Sequence, residues 1–307
     1  MRQIHPSATI EPSARLADDL HIGAGCYIGP DVEVGPGCRL LPNVVLLGRT
    51  TLGADNILYP NAVIGAAPQD LKYQGGDTRL VIGSGNVFRE CVTVHSGTEV
   101  GGALTRIGDH NQFQVGSHIA HDCIVGDHCV LSNNVQVAGH VHIENCVIIS
   151  GIVGIHQFVT VGRNAFISGM ARVTTDVPPF MIFGYDGTIP NVNVKGLIRW
   201  GFTEEQCNAL KRLYRQLFPR RGRETETNAK TWFEMLFSRR ARRSVLSLSR
   251  RIADAEATGQ LDDNCKYLLE FLKRSLNNGV FGRYLESARQ DTGMPPPQFY
   301  QSAESAA

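Results

Sequence analysis

No stretch of this 307-residue chain approaches the ~18 consecutive apolar residues that a membrane span needs. Its opening, MRQIHPSATIEPSA, has neither the basic start nor the apolar core of a secretory signal, so a cytoplasmic protein is expected. Charge of one sign is also missing. Thirty basic residues against 29 acidic ones leave a formal +1, which removes any bulk electrostatic case for nucleic acid and leaves at most a peripheral role at a membrane. There is no Cys-x-x-Cys pair to suggest zinc, and eight cysteines in a chain this long do not make a disulfide framework. With 42% hydrophobic and 19% charged residues, the composition fits a soluble globular chain of one large domain or two ordinary ones.

What the sequence does have is a repeat. An aliphatic residue recurs every six positions from Ile4 through Ile10, Leu16, Ile22, Ile28, Val34, Leu40, Leu46, Leu52 and Leu58 to Ile64. The period resumes at Ile82, Phe88, Val94 and Val100, slips by one in VGGALTR, and then runs unbroken from Ile107 to Val173. Neither the helical period of 3.6 nor the strand period of 2 fits such runs. Hexapeptide repeats stack into a left-handed parallel β-helix, three short strands to a coil, stabilised by neighbouring coils. Glycine often follows the aliphatic residue, as in IGAGCY and VGDHCV, and is expected to permit the corner. The fifth position is often small, and four of the eight cysteines (Cys26, Cys38, Cys123, Cys129) fall there, so they read as core filler.

The repeat is broken at PQDLKYQGGDTR, Pro68 to Arg79, which is too long and polar for a corner and reads as a functional loop. Pro178 and Pro179 are expected to stop the strand ladder. Beyond a polar connector, GFTEEQCNALKRLYRQLF has helical spacing, with Thr203 as N-cap and Glu204 and Glu205 in the first turn. TWFEMLF and DDNCKYLLEFLKRSL extend the helical pattern. The expected organisation is a β-helix over 1–180, a connector over 181–200, an α-helical cap over 201–290 and a loosely ordered tail over 291–307.

All ten histidines precede residue 157. His121, His140 and His156 are separated by nearly whole coils, so they are expected to stack along one edge, with His118 and His95 close by. Imidazole is the natural general base near neutral pH, and an edge cleft between packed prisms is a natural pocket. A shared zinc site, as in the γ-class carbonic anhydrases of this fold, is the rival. No two histidines here are five residues apart, as that site requires, and no metal is expected.

QDLKYQGGDTR, SHIAHDCIVGDHCVLSNN, VAGHV, GIHQFVTVG, DVPPFMI and NVNVKGLIRWGF, in this order, resemble the UDP-N-acetylglucosamine O-acyltransferases of lipid A biosynthesis over roughly residues 1 to 220. The resemblance implies a homotrimer that moves a 3-hydroxyacyl chain from acyl carrier protein to the sugar 3-hydroxyl, with the carrier thioester as co-substrate and no cofactor. It implies His121 as general base, Asp122 as its orienting neighbour, and the Gly139 N–H as oxyanion donor. His118 and His140 map to substrate contacts, and His156 and Gln157 to the nucleotide and sugar pocket. Gln69, Asp70 and Lys72 resemble loop contacts supplied by a neighbouring subunit, and Asn193 and Arg199 a nucleotide-binding pair. The residue that limits acyl length falls on Gly169, with Met170 beside it. Where the family often has HRGT, this chain has HSGT at His95 to Thr98. The arginine-rich FSRRARRSVLSLSRR, with Arg239 and Arg240, and the nearby Lys211, Arg212 and Arg215 suggest a dock for the acidic carrier protein.

Other classes remain open from sequence. A hexapeptide acyltransferase with a 3-amino acceptor or a different donor would need the same base. The N-acyltransferase of the pathway carries a domain before its repeats, and here the repeats start at Ile4. A non-catalytic prism that only binds is the third reading.

Overall fold

A computed structural model describes residues 2–218, 239–257, 261–277 and 282–288, with side chains in the second stretch described from 248 onward. Strands, most of them two residues long, stack into sheets of eleven, nine and eight, here faces A, B and C of a left-handed prism. Ile4 pairs with Ile22, Ile22 with Leu40 and Leu40 with Leu58, so every third hexad returns to the same face. A two-residue strand has almost no ladder of its own. Bonds to the neighbouring coils, such as Gly23 N–H to the Leu40 carbonyl at 2.8 Å, hold it in place.

The repeated aliphatic side chains of the ladder point inward. Ile28, Leu40, Leu46, Leu58 and Ile64 are fully buried, each contributing about 1.5–3 kcal/mol against exposure. Ile4, in the first coil with a neighbour on one side only, stays 41% exposed. The fifth-position cysteines fill the same interior. The Sγ atoms of Cys123 and Cys129 donate to the carbonyls of Ala138 and Glu144 at 3.1 Å, and burial pushes both thiols up to about 12. They are weak donors in a core, not nucleophiles. Asn56, Asn86 and Asn111 take the small position elsewhere because each can bond the next, as Asn86 Nδ2 does to Asn56 Oδ1 at 3.0 Å.

Two sequence expectations need correction. The glycine after the aliphatic residue does not supply the left-handed corner. A Cβ on Gly35 would stand 2.7 Å from the carbonyl carbon of Gly53, so these glycines are required by the backbone-to-backbone approach of coils. The left-handed residue comes two positions later and is often Asn, Asp or His, as at Asn43 (φ 62°) and Asp122 (φ 59°). Nor is VGGALTR a simple slip. Val100 lies outside the ladder, in a 3₁₀ turn over Glu99–Gly101, and Ile82 pairs directly with Ile107.

Pro178 and Pro179 interrupt the ladder without ending it. Met181–Phe183 rejoins face A beside Phe166–Ile167, and Asn191–Val192 pairs with it antiparallel. Helices α1 (Val194–Arg199), α2 (Glu204–Leu217), α3 (Arg239–Ala257) and α4 (Asp263–Asn277) follow. Thr203 caps α2 as expected, in a capping box with Gln206. The apolar face of α2 meets Leu248, Ile252, Leu268 and Leu272 in a second core, to which Phe180 and Met181 bring the end of the prism. Tyr267 Oη donates to Glu144 and Ser275 Oγ to Asp176, both at 2.7 Å, tying α4 to the last coils. TWFEMLF and the expected tail lie outside the described residues. No described helix is long and apolar enough to cross a membrane.

Candidate active site

Both interruptions leave the prism at one edge. Residues 67–78 emerge after the face-B strand Val63–Ala66 and return at the face-C strand Arg79–Ile82. Residues 96–103 do the same one coil later, between Thr93–His95 and Leu104–Ile107. The next three corners of this B–C edge carry His121–Asp122, Gly139–His140 and Gln157–Phe158.

Asp122 sits at the left-handed corner with its carboxylate buried. Its Oδ1 accepts the Thr98 backbone N–H at 2.9 Å, and its Oδ2 accepts the Thr98 hydroxyl at 2.6 Å. Its own N–H donates to Thr105 Oγ1 at 2.8 Å. Oδ2 also faces His121 Nδ1 at 2.8 Å. With the proton on Nδ1, that contact fixes the imidazole tautomer and leaves the Nε2 lone pair free. Nε2 lies 3.9 Å from Oδ2 of Asp70, whose loop closes over it, and the His121 side chain is only 13% exposed. Gly139 is buried beneath the ring, where a Cβ would stand 2.6 Å from Nε2. The Gly139 N–H has no acceptor among the described residues.

Burial disfavours the charged form of two neighbouring histidines, His118 and His95. His118 Nδ1 lies 2.8 Å from Thr93 Oγ1, and burial, then His95 and His121, lower its pKa to about 4. The His95 ring meets that of His118 edge-on at 4.7 Å, and burial also lowers His95. His140 meets His121 edge-on, with ring centroids 5.1 Å apart.

The expected three-histidine stack is corrected at its third member. Asp122, His140 and Phe158 occupy equivalent left-handed corners, with φ of 59°, 62° and 64°, so Phe158 stacks on His140 with centroids 4.4 Å apart. His156 falls two residues short of that corner, its Nδ1 3.1 Å from the Gln157 carbonyl.

The other expected residues divide among edges. The loop contacts expected from a neighbouring subunit are corrected for Asp70, which shares the recess with His121 of its own chain because the loop leaves the prism at the same edge. Its Oδ1 accepts the Lys72 N–H at 3.0 Å in a tight turn, while Gln69 and the Lys72 side chain are exposed. The departure at HSGT is an interior one. Ser96 is buried, its Oγ 3.2 Å from that of Thr78 at the foot of the loop. Asn193 and Arg199 lie at the C–A edge instead. Asn193 is the N-cap of α1, its Oδ1 accepting Gly196 N–H and its Nδ2 donating to the Asn164 carbonyl, while Arg199 is exposed. Gly169 and Met170 occupy the A–B edge. A Cβ at Gly169 would meet Gly151 O at 3.4 Å, and Met170 is 76% exposed. On α2, Lys211 is half-buried beside Asn208 and Arg212 and Arg215 are exposed; Arg239 and Arg240 open α3, with side chains outside the described ones.

His121, Asp122 and His140 are also the described residues whose ligand atoms lie close enough, within 4.8 Å, to hold a metal ion. An ion would have to displace the bonds that Asp122 already accepts from Thr98 and share its oxygen with His121. The arrangement fits a hydrogen-bonded base better than a coordination shell. Sequence reasoning missed Thr98, Thr105 and Phe158. Whole-coil spacing after His140 points to Phe158; the threonines carry no periodic signal, because Thr98 lies in a turn ejected from the ladder and Thr105 in the strand that resumes it.

A family model described as UDP-N-acetylglucosamine O-acyltransferase, domain 2, matches residues 176–280, and one for bacterial transferase hexapeptides matches residues 104–139. A Stenotrophomonas maltophilia R551-3 protein named acyl-acyl-carrier-protein–UDP-N-acetylglucosamine O-acyltransferase is 50% identical over 218 residues, 70% of this chain and 83% of the relative. Its namesake from Anaeromyxobacter sp. Fw109-5 is 41% identical over 271 residues, 88% and 96% of the two chains. Among solved structures, the UDP-N-acetylglucosamine acyltransferase of Bacteroides fragilis 9343 is 31% identical with a TM-score of 0.76, over 88% of this chain and 96% of the other.

Proposed function

The chain belongs to the UDP-N-acetylglucosamine O-acyltransferase family, and on that footing we propose how its B–C edge performs the reaction. The protein moves an acyl chain from acyl carrier protein to an oxygen of UDP-N-acetylglucosamine in lipid A synthesis. In our reading the chain is a 3-hydroxyacyl group and the acceptor is the sugar 3-hydroxyl, in the first step of that synthesis.

His121 Nε2 takes the proton of the sugar hydroxyl as its oxygen attacks the thioester carbonyl. The carbonyl oxygen becomes an oxyanion and accepts the Gly139 N–H. Collapse forms the ester, breaks the carbon–sulfur bond and returns the proton from His121 to the departing thiolate. Asp122 stabilises the imidazolium that exists between the two transfers. His118 and His140 bound the sugar site, with Gln69, Asp70 and Lys72 above it and His156 and Gln157 one coil further on. The observation that carries this reading is the 2.8 Å contact of His121 Nδ1 with Asp122, which turns Nε2 into the recess.

The catalytic pair, the Asn193–Arg199 pair and the Gly169–Met170 pair occupy three different edges of one prism. One chain cannot bring them around one substrate, so a homotrimer is the assembly that suits them, each cleft being shared by neighbours. In such a cleft Asn193 and Arg199 hold the nucleotide and Gly169 and Met170 end the acyl groove. Arg212 and Arg215, exposed on α2, together with Lys211, Arg239 and Arg240, would receive the carrier. The eight free cysteines suit a cytoplasmic location.

Incubation of the protein with 3-hydroxyacyl carrier protein and UDP-N-acetylglucosamine, with mass and NMR identification of the product, tests the reading. A 3-O-acyl sugar nucleotide supports it. Transfer only to a 3-amino analogue, or none to either acceptor, contradicts it.

A further inference from the structure

The second ejected turn is short, yet it touches both halves of the recess. On one side Thr98, fully buried, donates its backbone N–H to Oδ1 and its hydroxyl to Oδ2 of Asp122. The hydroxyl shares Oδ2 with His121 Nδ1. Gly101 completes the cradle, because a Cβ there would overlap the Asp122 carboxylate. On the other side the next residue, Glu99, accepts the Gln74 and Gly76 backbone N–H groups on Oε1, at 3.3 and 2.5 Å. Those residues belong to the loop that carries Asp70 to 3.9 Å from His121 Nε2. Thr98 N-caps the 3₁₀ turn without any side-chain bond to the turn itself, so its hydroxyl is committed to Asp122 and not to local structure.

We propose that Thr98 and Glu99 are positioning residues for the acyl transfer: Thr98 sets the orientation and strength of the Asp122–His121 pair, and Glu99 holds the Asp70 loop in register with it. The inference rests on His121 acting as the base. A carboxylate oxygen that receives a second donor has less negative charge to offer the imidazolium. The Thr98 hydroxyl therefore moderates the pull that Asp122 exerts on the His121 imidazolium. The groups that face His121 are Asp122 at its own corner, Asp70 from the loop, His140 from the next coil, and His118 and His95 from the strands beside it.

The test is the pH profile of kcat and the KM for the sugar nucleotide in Thr98→Val, Thr98→Ser, Glu99→Ala and Glu99→Gln, with His121→Ala as reference. Thr98→Val keeps shape and loses the hydroxyl donor. It is expected to lower kcat about tenfold and to move the acid limb to higher pH, with KM little changed. Thr98→Ser should restore both, which a loss of packing would not allow. Glu99→Ala should raise KM about tenfold and leave the acid limb in place, and Glu99→Gln, which keeps an acceptor, should recover most of the loss. Wild-type profiles in Thr98→Val, or an unchanged KM in Glu99→Ala, overturn the inference. If Thr98→Val does not fold, failure of Thr98→Ser to match the wild-type profile does so as well. Activity retained in His121→Ala would instead overturn the reading on which the inference stands.

Discussion

The imidazole of His121 lies directly on Gly139, close enough that a Cβ on the glycine would stand 2.6 Å from Nε2 and 3.0 Å from Nδ1. One coil supplies the base and the next supplies the floor it rests on, which also presents the N–H proposed to hold the oxyanion. Gly139→Ala must push the ring aside. A displacement of about 1 Å at a reacting atom costs about 10²-fold in rate. The expected result is a kcat lowered by that order with melting temperature close to wild type; an active Gly139→Ala variant would contradict the arrangement.

Asp122→Asn tests the charge without changing the size. Asp122 accepts three bonds, from Thr98 N–H, Thr98 Oγ and His121 Nδ1, and an amide can accept on one atom only. The variant should lose about 1–3 kcal/mol of stability. Its kcat should fall at least tenfold, since the imidazolium loses its counter-charge. Chemical denaturation and steady-state kinetics on the same preparation check both; full activity would remove Asp122 from the mechanism.

His118 should not titrate in the working range. Burial holds its pKa at about 4, so its ring is neutral above about pH 5. NMR of labelled histidine should show a flat His118 signal between pH 5.5 and 8, values chosen as roughly the range of an ordinary imidazole transition. A midpoint near the ordinary value would mean that the recess is wetter than its geometry indicates.

At the far end of the prism, Asp176 is buried and raised to about 6, chiefly by desolvation, while it accepts bonds from Thr160 N–H, Tyr284 N–H and Ser275 Oγ. Its folded pKa lies above its unfolded value of 3.8, so the folded state holds the proton more tightly between those values. Stability should therefore fall as pH rises from about 4 to about 6 and then level off. Asp176→Asn should remove this component, which thermal melts of both proteins across that window will read. Identical pH dependence in the two proteins would contradict it.

Charge reversal on the exposed α2 arginines, Arg212→Glu with Arg215→Glu, should raise KM for the acyl carrier protein about tenfold and leave KM for the sugar nucleotide unchanged. The same reversal at Arg239 and Arg240 tests whether α3 shares the dock. An unchanged carrier KM in both would leave the cationic residues as a solvated surface.

The fold was legible because stacking requires an inward aliphatic residue at every corner-to-corner step, and Ile4 to Val173 show that requirement directly. The site was legible in part. His121 and Asp122 stand out by resemblance, but the partner of His140 does not, because a count of nearly whole coils does not tell a corner from its neighbours. At corners one residue decides which side chain faces the edge, and Phe158, not His156, has that place. The task of the glycines after the aliphatic residues is illegible for a similar reason, since close approach between coils leaves no trace in a single hexad. Thr98 and Glu99 were invisible to periodicity because an ejected turn obeys no repeat.

The most direct test of the central claim is kcat for acyl transfer to UDP-N-acetylglucosamine in His121→Ala, with folding and trimer formation verified. If His121 is the general base, kcat falls by about 10²–10⁴ and its pH dependence near neutrality flattens. If the variant turns over within a few-fold of wild type with the same pH profile, His121 is not the base and the mechanism proposed for this edge is wrong.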